Sequence, residues 1–134
     1  MEIRIIATSY NFLTKEELLI KDGIGHLLND NYLTYVEDFE DNNARHEIKW
    51  NDDEILLIRS GSGSSIVSLK LNQFSTCKVN TMYGEMEMKS FLVSKDKNDF
   101  TWNVEYKLFM ENDLIAHTDI IWEIEGVNDE SIRG

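Results

Sequence analysis

The segment from Phe100 to Ile124 constrains the fold more than any other part of this chain. Phe100, Trp102, Val104, Tyr106 and Leu108 alternate with Thr101, Asn103, Glu105 and Lys107. After the turn residues Glu111-Asn112-Asp113 the alternation resumes. Leu114, Ala116, Ile120, Trp122 and Ile124 fall on one face, with His117, Asp119, Glu123 and Glu125 on the other. A period of two marks strands with one apolar and one wet face. A ribbon of this length cannot bury its apolar face unaided, so it requires a sheet or barrel to cover it.

The rest of the chain repeats the pattern in shorter pieces. Turn-forming clusters occur at Asp22-Gly23, Asn29-Asp30-Asn31, Asp41-Asn42-Asn43, Asn51-Asp52-Asp53, Gly61-Ser62-Gly63-Ser64, Asn72, Lys97-Asn98-Asp99 and Asn112-Asp113. Between them the expected strands are Ile3–Tyr10, Glu17–Lys21, Gly25–Asn29, Tyr32–Phe39, Arg45–Trp50, Glu54–Ser60, Ile66–Leu71, Phe74–Asn80, Gly84–Ser94, Phe100–Met110 and Leu114–Glu125. Short strands with regular turn signals point to an all-β sandwich or barrel. Thr14-Lys15-Glu16-Glu17 has the spacing of a helix capping box. However, Asp22-Gly23 and Gly25 stop that run within about two turns, which favours a strand.

A meander that closes on itself removes the exposed edges of an open sheet. The reading is therefore one domain over 1–127, a meandering antiparallel β-barrel of roughly eight to ten strands, with a polar tail over 128–134. The absence of proline agrees with continuous strands, because proline removes ladder donors. Trp102, Tyr106, Trp122, Phe100, Met86 and Met88 form the bulky inward set.

Composition narrows the functions. Of 134 residues, 42% are hydrophobic, enough for one sizeable core. The net charge of −12 repels phosphate backbones and anionic membrane surfaces, so neither nucleic acid nor membrane is an expected partner. The single Cys77 cannot form an internal disulfide. The start, Met1-Glu2-Ile3-Arg4-Ile5-Ile6, lacks a basic region followed by an apolar run, and no stretch has membrane-spanning length. A cytoplasmic protein with no cofactor is the expectation.

Few residues carry chemistry. In Leu56-Leu57-Ile58-Arg59-Ser60-Gly61, alternation puts Arg59 on the face of Ile55 and Leu57, a charge entering a barrel mouth. A buried guanidinium requires a carboxylate, a carbonyl or a ligand anion. Arg59 therefore either closes the barrel end against an acidic neighbour or anchors a ligand carboxylate or phosphate. In Thr81-Met82-Tyr83-Gly84-Glu85-Met86-Glu87-Met88, Gly84 suggests a positive-φ turn or bulge. Met86 and Met88 read as packing residues. Glu85 and Glu87 read as a solvated strand face before an acid/base pair. The Gly61-Ser62-Gly63-Ser64-Ser65 loop lacks the lysine and helix of a phosphate-binding loop. His26, His46 and His117 are scattered singly and show no metal-ligand spacing.

Ile58-Arg59-Ser60-Gly61, then Thr81-Met82-Tyr83-Gly84-Glu85-Met86-Glu87-Met88, then Val104-Glu105-Tyr106-Lys107-Leu108 resemble the YwiB-like family of small bacterial proteins. That family shows an Arg-x-Gly element, a Thr-x-Tyr-Gly turn leading into an alternating strand, and a later Tyr-x-Leu strand. The resemblance is densest from Glu54 to Glu125. Met82 stands where relatives carry proline, which implies a less rigid turn. The resemblance implies a calycin-type, lipocalin-like barrel and supplies no reaction.

Three functions stay open. The favoured one is a non-enzymatic protein binding a small, partly apolar, anionic ligand in the barrel. Arg59 would be its anchor, with Tyr83, Trp102, Tyr106 and Trp122 lining the cavity. The second is a protein-interaction or homodimer-forming module, suggested by Phe91, Val93, Ile115 and Ile121 on nominally wet faces. The third is an enzyme using Glu85, Glu87 or a histidine.

Overall fold

Ten strands run in chain order around a closed ring in a computed structural model that describes residues 1–37, 44–61 and 63–126. They are β1 (Glu2–Asn11), β2 (Glu16–Leu28), β3 (Tyr32–Val36), β4 (Arg45–Trp50), β5 (Glu54–Ser60), β6 (Ser64–Lys70), β7 (Phe74–Thr81), β8 (Gly84–Lys97), β9 (Thr101–Met110) and β10 (Asp113–Gly126). Every strand pairs antiparallel with its chain neighbours, and β1 closes the ring on β10. An up-and-down ring needs an even number of strands for its first and last members to meet antiparallel. The expected segments Glu17–Lys21 and Gly25–Asn29 are in fact one strand, β2, which brings the number to ten.

Gly23 and Gly25 lie inside that strand and do not end it. Gly25 is needed for close approach: a Cβ there would sit 2.9 Å from the Thr34 carbonyl oxygen and 3.2 Å from Ile5 Cγ2. The Thr14-Lys15-Glu16-Glu17 capping pattern forms no helix. Asn11 Oδ1 accepts from the Leu13 and Thr14 amides, and the Asn11 carbonyl accepts from the Lys15 amide. Together they make a tight β1–β2 turn.

Alternation places the core, and three bulges shift its phase. Inward residues of β1, β9 and β10 include Ile3, Ile5, Ala7, Trp102, Val104, Trp122 and Ile124, all buried. In β10 the register slips between Leu114 and Ala116, so the extra residue Ile115 reverses the parity before it. Leu114 therefore pairs with Phe109 and is exposed, contrary to its place in the expected apolar face. In β8 the slip at Val93 lets the strand run on to Lys97, beyond the expected end at Ser94. In β2 Ile20 is the bulged residue.

Two members of the expected inward set are not buried. Phe100 precedes β9 in a turn where Asn98 Oδ1 accepts from the amides of Phe100 and Thr101, leaving the ring 73% exposed. Met86 has inward parity but sits at the barrel rim and is exposed, while Met88, one step deeper, is buried. The polar tail expected over 128–134 and the end of the expected strand Tyr32–Phe39 lie outside the described residues. No helix among the described residues is long and apolar enough to cross a membrane.

Candidate functional site

The β1–β2, β5–β6, β7–β8 and β9–β10 turns lie at one end of the barrel, and the interior beneath them contains a cavity of about 160 Å³. Its walls come from Ile20, Ile48, Leu57, Val67, Ile120 and Trp122, with Tyr35, His46, Arg59, Ser65 and Tyr106 supplying polar atoms. The strand register produces this arrangement. Tyr35 pairs with His46, His46 with Arg59 and Arg59 with Ser65, so one row of inward side chains crosses β3, β4, β5 and β6.

Glu37, just beyond β3, completes the row. Its Oε2 lies 2.7 Å from His46 Nε2 and 3.7 Å from Arg59 Nε. Its carboxylate side chain is only 11% exposed. Arg59 also donates from Nη1 to the Gly63 carbonyl at 2.8 Å, tying the guanidinium to the β5–β6 turn. The imidazole stacks on the Tyr35 ring, with centroids 4.9 Å apart and planes 12° from parallel. Burial pushes the His46 pKa below its usual 6.5. The hydrogen bond and charge of Glu37 oppose that shift, and the Arg59 charge adds to it.

The floor is aromatic. Trp122 Nε1 donates to the Tyr35 hydroxyl at 3.1 Å, joining β10 to β3 through the interior. Burial raises both phenols, Tyr35 and Tyr106, the latter to about 12 despite its hydrogen bond with Thr118. Burial also pushes the Cys77 thiol up to about 11, which makes it a packing residue and not a nucleophile.

Of the residues expected to line a binding cavity, the structure brings together Arg59, Tyr106 and Trp122. Trp102 pairs directly with Trp122 across β9 and β10 but points towards the opposite end of the barrel. There it meets the Trp50 ring at 5.5 Å, and Lys97 Nζ lies 5.3 Å from its centroid. Lys95 Nζ lies 6.0 Å from the Trp50 ring centroid and donates to the Asp52 carbonyl. Trp102 also lines a separate hollow of about 260 Å³ at that end, with Ile3, Leu27, Phe100 and Ile124.

Tyr83 stands at the tip of the β7–β8 turn, 94% exposed and away from the cavity. The Thr-x-Tyr-Gly element is a turn device. The Thr81 hydroxyl accepts from the Tyr83 amide and donates to the Gly84 carbonyl, and Gly84 has φ +117°. Glu85 and Glu87 are exposed on the outer wall, where His117 is also held by Glu105 at 2.7 Å.

Sequence reasoning passed over Tyr35 and Glu37, and weighed His46 only as one of three scattered histidines with a structural or surface role first. The signal was available: Leu33, Tyr35 and Glu37 share one parity, as do His46, Ile48 and Trp50. Among the described residues no group of three His, Cys, Asp or Glu side chains converges to hold a metal ion. A larger hollow of about 920 Å³ beside Asn29–Asn31, Asn51–Glu54 and Lys95–Lys97 is an open, acidic surface depression outside the barrel.

Fold and interior together define a small up-and-down, lipocalin-like β-barrel with a ring-sized cavity beneath a charged mouth. The chain belongs to the family described as Domain of unknown function (DUF1934), whose model matches residues 14–121. It is similar in fold to the ywiB protein from Bacillus subtilis, known from a crystal structure. The TM-score is 0.67 and the identity 18%, over 93% of this chain and 91% of that one. The YwiB-like resemblance read from the sequence thus holds for family and fold. No curated protein matches the chain.

Proposed function

We propose that this barrel binds one small molecule in its upper cavity, with an acidic head at the Arg59–His46–Glu37 mouth and an apolar body against Leu57, Val67 and Trp122. The carrying observation is the separation of chemistry within the cavity. His46 and Arg59, both beside Glu37, line one part of the cavity, and the other walls are mostly apolar and aromatic, the mix typical of ligand pockets. The size limits the ligand. A cavity of about 150 Å³ accommodates a benzene ring, whereas sites for drug-sized ligands occupy roughly 300–1,000 Å³. Long lipids are therefore poor candidates, and single-ring or short branched acids fit.

The test is native mass spectrometry of freshly purified protein, with thermal-shift screening of small carboxylic acids. A bound small molecule, or stabilisation by ring-sized acids that Val67→Phe abolishes by filling the cavity, is the expected result. A folded wild type that carries nothing and responds to none of the acids contradicts the reading.

A second reading, a homodimer through the outer wall of β7–β9, draws on one cluster. Phe74, 58% exposed, lies with its ring 5.2 Å from that of Phe91 and 5.8 Å from that of Phe109. An exposed aromatic group of this kind is a recognised interface feature. Light scattering over a wide concentration range, with Phe74→Glu as the control, decides it. A monomer throughout removes the case for self-association.

A further inference from the structure

We propose that the mouth is a proton-coupled carboxylate site, in which each monocarboxylate that enters brings His46 to its charged form. The inference rests on the cavity reading above and specifies the ligand charge and its linkage to pH. It begins with the charges on the described residues of the mouth. Glu37 contributes one negative charge, and Arg59, 3.7 Å from it, contributes one positive charge that is already engaged by protein groups. The third ionisable group is His46, beside the same carboxylate oxygen at 2.7 Å.

An entering carboxylate would otherwise add a second negative charge beside Glu37, whose side chain is only 11% exposed. Such a charge is costly unless a positive one accompanies it. His46 is the group suited to supply it. Its Nε2 side is occupied by Glu37, so the added proton goes to Nδ1, turning the imidazole into a donor at both nitrogens.

The surroundings of His46 support this assignment. From β3, Tyr35 stacks on the ring and Glu37 accepts from it. From β5, Arg59 is the only charged residue paired with it, and it opposes protonation of the empty site. On its own strand, Arg45 and Glu47 have the opposite parity, and Glu47 is engaged by the Tyr32 hydroxyl. Ser65, Tyr106 and Trp122 carry no charge at neutral pH. A carboxylate beside His46 therefore tips a balance that burial and Arg59 hold towards the neutral ring.

The linkage has a definite sign. The empty site holds the His46 pKa below 6.5, and a bound anion raises it. Between those two values, proton uptake accompanies binding, and affinity falls up to tenfold for each unit rise in pH.

The experiment is titration calorimetry of the full chain with benzoate from pH 5.5 to 8, in phosphate and in Tris. Wild type should bind more tightly as pH falls, with a buffer-dependent heat approaching one proton taken up per benzoate. His46→Gln should lose both the uptake and the pH dependence. Glu37→Gln, which removes the balancing negative charge with little change of shape, should bind at least severalfold more tightly than wild type at pH 8 without proton uptake. A merely structural role would weaken both variants alike, and near-UV circular dichroism identifies misfolding in either. Benzoate binding that is flat with pH and independent of buffer overturns the proton coupling while leaving the cavity reading in place. No binding by wild type at any pH overturns the coupling and, with an unresponsive acid screen, the cavity reading as well.

Discussion

The hydrogen bond from Trp122 to Tyr35 makes a quantitative prediction, because both partners are buried and distant in sequence. Each ring is no more than 3% exposed, and the bond joins β10 to β3 across two intervening strands. Tyr35→Phe deletes the acceptor and leaves a buried indole N–H unpaired, at a cost of about 1–3 kcal/mol. Trp122→Phe deletes the donor and also opens space beside the cavity. The two effects together cost about 2–4 kcal/mol. The double variant has no orphaned polar group, so its cost should fall short of the sum by about 0.5–3 kcal/mol, the range of coupling between contacting residues. Urea unfolding followed by far-UV circular dichroism measures this. With slopes of about 1–3 kcal/mol per molar, each single variant should lower the midpoint by about 1 M. Additivity within about 0.5 kcal/mol would refute the reasoning, because it would mean that the two groups do not depend on each other.

Other expectations follow from single residues. Gly25→Ala places a methyl group 2.9 Å from the Thr34 carbonyl oxygen, so overpacking of about 1–3 kcal/mol should appear as a lower melting temperature. Gly84→Ala meets no atom within 4 Å, so its cost should come only from the left-handed backbone at φ +117°, roughly 1–3 kcal/mol, and equilibrium unfolding measures it. Because burial lowers the His46 pKa, the unfolded chain binds the proton more readily. This residue's contribution is favourable above pH 6.5 and is lost as pH falls through 6.5 towards the lower folded value. His46→Gln should therefore flatten the pH dependence of stability in that window, measured by urea midpoints at pH 5.5 and 7.5.

Much of the wall was legible as a period of two. In β9 and β10 the alternation of Trp102, Val104, Tyr106, Ile120, Trp122 and Ile124 assigned the inward face correctly. It failed at Leu114, because the bulge at Ile115 inserts one residue without any mark in the hydrophobic pattern. It also overstated the burial of Phe100 and Met86. Parity says which way a side chain points, but depth along the barrel axis decides whether anything covers it. Arg59 was legible as a charge on an apolar strand. Its partner Glu37 was not, because pairing depends on which strands become neighbours.

By itself, then, the sequence determined most of the strands, most of their inward residues and the need for closure, since backbone geometry and hydrophobic period are local properties. It also supplied the turn at Thr81–Gly84, whose hydroxyl and glycine act within a few residues. Only the tertiary structure decided that ten strands close the ring and that Trp102 faces one end while Trp122 floors a cavity at the other. The alignment of Tyr35, His46, Arg59 and Ser65 in one row was likewise decided there. These depend on register between strands, which is fixed by the bulges and turns of the whole ring acting together.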